Sequence, residues 1–200
     1  VVYSDQAAFI AATGATANAP LPNSGLAPGG ASASVTVGDL TFSPEDASYE
    51  LYIGRGDSLQ WSERISGNDI ALSGPENLDI QVAFLTTAFG FDFHETLQDP
   101  FRGSSGFIDS DFEVTLYNGA TNVGSFVFNG GNDALTFVGV YSDLAFNLVS
   151  IRELNIGIDN EFFGNFYRYD PAVVPEPATL GLLGIGLASL ARARRNRSHS

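Results

Sequence analysis

The chain contains no cysteine, no methionine and no lysine, and only two histidines in 200 residues. Without cysteine it has no disulfide, no thiolate ligand for a metal and no cysteine nucleophile. His199 stands next to the last residue, so His94 is the single imidazole of the body. One imidazole and no thiolate are too few for a zinc site. No Gly-x-Ser-x-Gly elbow accompanies His94, and a triad built on it would need a distant serine that nothing marks. The absence of methionine means that Val1 is not a translational start. The expectation is that a secretory signal was removed ahead of it.

Positive charge is the next scarcity. All nine basic residues are arginine, and four of them stand at 192, 194, 195 and 197. Before Leu180, five arginines face 23 acids, a formal charge of −18. A body so acidic repels nucleic acid and anionic headgroups, which excludes DNA or RNA as a partner. It suits a solvated external protein or one that takes up divalent cations.

Helical pattern is also sparse. Ser4 to Thr13 predicts one short helix, with Ser4 as its N-cap. Gly14 to Ser34, rich in Ala, Gly, Pro, Asn and Ser, reads as a loop. From there short β segments follow one another: Ser34 to Phe42, Tyr49 to Ile53, and Ile80, Val82 and Phe84 alternating with other residues. Phe89, Phe91 and Phe93 alternate with Gly90, Asp92 and His94, as a half-buried strand requires. Phe112, Val114 and Leu116 alternate with Glu113, Thr115 and Tyr117, and Asn118-Gly119 then marks a hairpin, because both residues tolerate positive φ. Asn129 to Asn132 predicts a further turn, with strands from Leu135 to Tyr141 and from Phe146 to Ile158. The predicted fold is all-β, an antiparallel β-sandwich of jelly-roll-like type with the short N-terminal helix, its core supplied largely by 16 phenylalanines.

The last 27 residues depart from this pattern. Val174, Pro175, Glu176 and Pro177 form a stiff segment that can continue neither a helix nor a sheet ladder. An uncharged run follows, carrying Leu180, Leu182, Leu183, Ile185, Leu187 and Leu190, and then Arg192, Arg194, Arg195 and Arg197. From Ala178 to Ala191 the run spans 14 residues, about 21 Å as a helix. That is shorter than a hydrocarbon core of roughly 30 Å, a mismatch that snorkelling arginines and local thinning can absorb. A transmembrane helix with a cytoplasmic basic end is the expectation. In motif, apolar run and arginine cluster, residues 174–200 resemble the PEP-CTERM sorting signal of bacterial surface proteins. The resemblance implies an exosortase-type membrane protease as partner, a transient membrane anchor and delivery to the cell surface or extracellular matrix. It divides the chain into an ectodomain at 1–170, a linker at 171–177 and a membrane segment with basic tail at 178–200. The body is similar to the single-domain sandwiches of such proteins, through Ala88 to Phe93, Phe137 to Asp143 before Phe146, and Ile158-Asp159-Asn160. That likeness implies a fold and a surface setting, with no reaction attached.

The remaining chemistry lies in carboxylates and aromatics. Calcium takes six to eight hard oxygens, which Asp, Asn and loop carbonyls supply. Asp159 and Asn160 at a strand end, and Asp109 and Asp111 on one strand face, are the candidate ligands, with Asn132-Asp133 in a turn. Their competing role is to make turns. Trp61, Tyr49, Tyr52, Tyr117, Tyr141, Tyr167 and Tyr169 are the candidates for stacking on extracellular polysaccharide, against ordinary packing at the core rim. Two readings stand: a non-enzymatic exported surface or matrix protein, and a carbohydrate-binding module or weak glycan-active enzyme.

Overall fold

A computed structural model describes residues 1–22, 34–53, 64–97, 107–155 and 161–171. The chain divides into two units, Val1–Asp170 and Pro171–Ser200; the second, Pro171 apart, lies outside the described residues, and with it the expected transmembrane helix. Among the described residues no helix is long and apolar enough to cross a membrane.

The body follows the alternation of its sequence. After β1 (Val2–Tyr3) comes the helix α1 (Gln6–Thr13), and then β2 (Thr16–Ala17), β3 (Val35–Val37), β4 (Leu40–Pro44), β5 (Leu51–Ile53) and β6 (Asp69–Leu72). The second half holds β7 (Leu78–Glu95), β8 (Asp111–Asn118), β9 (Thr121–Asn129), β10 (Leu135–Glu153) and β11 (Glu161–Arg168). Among the described residues all the strand pairings are antiparallel, apart from an isolated parallel bridge between Glu95 and Asn132.

Two strands are far longer than the sequence pattern indicates. β7 runs for 18 residues and β10 for 19, and each serves both layers of the sandwich. The second half of β7 and the first half of β10 pair with each other, with β11 and β1 on either side and β6 and β5 beyond β11. We call this layer A. The first half of β7 and the second half of β10 form layer B, with β4 and β3 on one side and β8 and β9 on the other. Register shifts between Tyr141 and Phe146, and between Phe146 and Leu148, mark where β10 passes from one layer to the other. Bulges of this kind bend a strand and raise its twist.

The core lies between the layers. Phe89, Phe91, Phe93, Phe112, Val114 and Leu116 all belong to it, each at most 2% exposed, as their alternation predicts. Phe93 of layer A meets Phe112 and Phe128 of layer B at ring-centroid distances of 5.0 and 5.2 Å, both edge-to-face. Each such ring contributes about 1.5–3 kcal/mol on burial, and the edge-to-face geometry adds to it.

The helix is capped one residue later than the sequence predicts. Asp5, with extended φ and ψ, accepts from the Ala8 N–H through Oδ1, and Gly14 closes the other end at φ 70°. Ser4 lies one position too early for its hydroxyl to take that role. An eight-residue helix is marginal alone, and Phe9, fully buried against Tyr3 and Phe137 on the outside of layer A, fixes it to the sheet. The segment read as one strand from Ser34 to Phe42 is a hairpin, β3–β4, because Gly38 takes φ 59° at its turn. The hairpin expected at Asn118-Gly119 does join β8 to β9, but its turn is shifted by one residue. Asn118 pairs with Thr121 as the end of β8, Gly119 and Ala120 form the turn, and of Asn118 and Gly119 only Gly119 takes a positive φ, 58°.

Candidate functional site

The outer faces of the two layers differ. On layer A, Ala88, Gly90, Asp92 and His94 of β7 point away from the core, which places Asp92 and His94 on one face as their spacing predicts. Both are buried there, 7% and 9% exposed. Asn165, a left-handed residue at φ 45°, donates from Nδ2 to Asp92 Oδ2 at 2.9 Å, and Gln6 of α1 donates to the Tyr167 hydroxyl. Burial raises the pKa of Asp92 and outweighs the Asn165 hydrogen bond, which lowers it. Burial, and then the charge of Arg64, holds the pKa of His94 below the usual histidine range, against the opposing pull of Asp133. His94 Nδ1 has no hydrogen-bond partner, and no Ser or Thr hydroxyl among the described residues is bonded to this imidazole. The imidazole is thus packed into the sheet face, where burial favours its neutral form.

A second polar system was invisible to sequence reading. Glu95 Oε1 accepts from the Ser110 N–H at 2.7 Å, and the Ser110 hydroxyl donates to Glu153 Oε1 at 2.9 Å. Glu153 Oε2 accepts from the Glu76 N–H at 3.4 Å, and Glu161 lies opposite Glu95 in the β7–β11 register. Glu76, Glu95 and Glu161 are fully buried, and none of these glutamates is without a partner. Their positions in the sequence are scattered, and only the register of distant strands brings them together.

The calcium candidates divide. Asp159 and Asn160 lie outside the described residues. Asp109 and Asp111 do come together, because Asn129 Nδ2 donates to Oδ1 of both, at 2.9 and 3.1 Å. Asn155 holds the Asp109 carbonyl at 2.7 Å. The amide thus supplies the positive end of a dipole between two carboxylates, as a cation would. Among the described residues no three His, Cys, Asp or Glu side chains are placed to hold a metal ion. Asp133 is apart from this pair; it makes its own turn at φ 53°.

The aromatic candidates also separate. Tyr141, Tyr167 and Tyr169 pack in the cluster around Phe9. Tyr49 lies against Gly74, and the Tyr52 hydroxyl donates to Glu50, which with burial as the larger cause pushes its pKa up to about 12. Trp61 lies outside the described residues. Tyr117 alone stands on the outer face of layer B. That face carries hydroxyl and amide side chains from Thr36, Thr41, Ser43, Gln81, Thr115, Ser125 and Ser150, with the charged Asp79, Glu113 and Arg152 among them.

Residues 173–195 match the family described as the PEP-CTERM protein-sorting motif. The sorting motif, first legible as Val174 to Pro177 with its apolar run and arginines, is therefore present. It implies export, anchoring in the membrane before processing, and recognition by an exosortase, a membrane protein. No curated protein matches the chain. Among solved structures, the chain is similar to TmCBM61 in complex with beta-1,4-galactotriose, at 13% identity and a TM-score of 0.39 over 65% of this chain and 87% of that one. It is also similar to a mutant of a family 29 carbohydrate-binding module, CBM29-2, at 11% identity and a TM-score of 0.41 over 78% and 98%. A third is the family 11 carbohydrate-binding module from Clostridium thermocellum in complex with a beta-1,3-1,4-mixed-linked tetrasaccharide, at 9% identity and a TM-score of 0.39 over 76% and 95%.

Proposed function

We propose that this chain is a non-enzymatic exported protein, anchored transiently by its C-terminal segment, processed by an exosortase-type protease and delivered to the cell surface or the exopolysaccharide matrix. The observation that carries this reading is the sorting motif at 173–195, joined to a body that is self-contained in its core and strongly acidic. Burial of the phenylalanines between two layers gives a domain that needs no membrane to fold. Its charge of −18 before Leu180 keeps it hydrated and away from anionic surfaces.

The non-enzymatic part of the reading is supported by the packing of His94 and Asp92, which are held by their sheet face and not aimed at a nucleophile. Contact with extracellular polysaccharide, as a binding module, is supported by a different observation: the outer face of layer B lines up hydroxyl side chains from four strands, Ser43, Ser150, Thr115 and Ser125, in one register row. Calcium at Asp109 and Asp111, with Asp159 and Asn160, would belong to the same reading as a structural ion.

The test is to follow the body with an antibody in fractionated cells. It is expected in the surface and matrix fractions, and to be released into the medium by a strain that makes no exopolysaccharide. Retention in the cytoplasm, or at the inner membrane with an intact tail, would refute delivery.

A further inference from the structure

The register of layer B lines up one row of side chains across five strands. Ser43 of β4 lies opposite Asp79 of β7, Asp79 opposite Ser150 of β10, Ser150 opposite Thr115 of β8, and Thr115 opposite Ser125 of β9. At about 4.8 Å between strands, the row is about 19 Å long. Its residues all point outward, because their neighbours along each strand, Phe42, Ile80, Val149, Leu116 and Val114 among them, are in the core.

The row is the floor of a trough. Ser150 and Thr115 are only 5% and 9% exposed although they face away from the core. Larger side chains shade them from both sides: Gln81, Leu148 and Tyr117 in the row on one side, and Arg152, Glu113 and Val127 on the other. The hydroxyls of Ser43, Ser150, Thr115 and Ser125 make no hydrogen bond to the described protein, and neither shaded oxygen is sealed from solvent. Unbonded within the chain yet open to solvent, these hydroxyls are available to hydrogen-bond water or a ligand that takes its place.

The charge of the trough selects the occupant. Its one cation among the described residues, Arg152, is held by Asp79 at 2.7 Å and by Glu45 at 3.1 Å. Glu113 adds a further negative charge, so an anionic polymer meets repulsion and no free guanidinium. A peptide would seek backbone groups, which lie unpaired at sheet edges and not across the middle of a sheet. What remains is a linear molecule whose own hydroxyls both donate and accept, and whose apolar faces can lie on Leu148, Tyr117 and Val127.

We infer that this trough binds an uncharged polysaccharide chain, laid across the strands of layer B with its hydroxyls on Ser43, Ser150, Thr115 and Ser125. The inference rests on the polysaccharide reading above and supplies its site and ligand class. Affinity comes from the row of hydroxyls, and the apolar walls hold the ring faces.

The experiment uses the full-length chain in detergent and matrix polysaccharide from the producing cells, separated on an anion exchanger into neutral and acidic fractions. Binding is read by affinity electrophoresis. The neutral fraction is expected to bind. Ser150→Leu, which fills the floor, should weaken binding by about tenfold or more, and Tyr117→Ala, at the half-buried wall, by about three- to tenfold. Leu144→Ala, on the exposed bend of β10, should bind as the wild type. If Ser150→Leu does not fold, Tyr117→Ala decides. Wild-type binding of the neutral fraction by both trough variants would overturn the site and leave the polysaccharide reading standing. Preference for the acidic fraction would overturn the charge argument, and binding of neither fraction would overturn both.

Discussion

Gly90 and Gly139 face each other across the β7–β10 pairing, and the ring of Phe9 occupies the space their missing side chains leave. A Cβ on Gly90 would stand 2.8 Å from Phe137 Cζ and 3.1 Å from Phe9 Cε1, and one on Gly139 would stand 2.8 Å from Phe137 Cε1. The pair lets the helix approach layer A closely. Gly90→Ala or Gly139→Ala should therefore destabilise the body by about 1–3 kcal/mol through overpacking, and Phe9→Ala by about 3–5 kcal/mol. In urea unfolding, Phe9→Ala combined with Gly90→Ala should cost less than the sum of the two, because the first removes one of the two rings the second strikes and leaves space into which the other, Phe137, can move.

Asp92 and His94, both buried on the outer face of β7, predict opposite pH effects. Asp92 has its folded pKa raised by burial, so the folded state binds its proton more tightly than the unfolded state. It costs stability as pH rises from the unfolded value of 3.8 through the folded one, and that cost persists at neutral pH. Asp92→Asn keeps an acceptor for Asn165 and should melt higher than the wild type at pH 7, the difference vanishing below the unfolded value. His94 has its folded pKa lowered by burial. Its contribution is complete above the unfolded value of 6.5 and is lost as pH falls toward the folded one. His94→Phe should flatten that part of the stability profile; an unchanged slope would contradict it.

Calcium has its own measurement. An ion bound only by the folded state must stabilise it through linkage. If Asp109, Asp111, Asp159 and Asn160 take calcium, millimolar calcium raises the melting midpoint and a chelator lowers it. Asp111→Asn should then remove the difference. Equal midpoints would leave Asn129 as the sole neutraliser of Asp109 and Asp111.

Orientation follows from the arginine cluster. Reporters fused after residue 170 should be active on the exported side, and reporters fused after residue 200 in the cytoplasm. The reverse pattern would overturn the placement of the body.

Much of the β architecture was legible because one face of each strand is buried. Phe89, Phe91 and Phe93 announce their own alternation, as do Phe112, Val114 and Leu116. The hairpin between β8 and β9 needs only local chemistry, although its turn falls on Gly119 and Ala120, one residue later than Asn118-Gly119. The continuity of β7 and β10 was hidden, since the period-two pattern breaks at Leu85 to Thr87 and at Ser142 to Ala145, where the strands bend between layers. Broken alternation reads as a loop. The capping error came from the adjacency of Ser4 and Asp5, two good caps that sequence alone does not separate. Neither the glutamate network nor the hydroxyl row could be read, because each depends on which residue of a distant strand lies opposite. The sorting segment was legible for the contrary reason: its chemistry is contiguous.

The most direct test of the sorting account is the mass of the C-terminus. Wild-type protein recovered from cells should end near Pro177 and lack Arg192 to Arg197. With Pro175, Glu176 and Pro177 all changed to Ala, the body should keep its melting temperature, because two prolines cannot join the sheet ladder. The full-length form should then accumulate in the membrane with its arginines attached. Processing and export of that variant at the wild-type rate would contradict the account and reduce the segment to a plain membrane anchor.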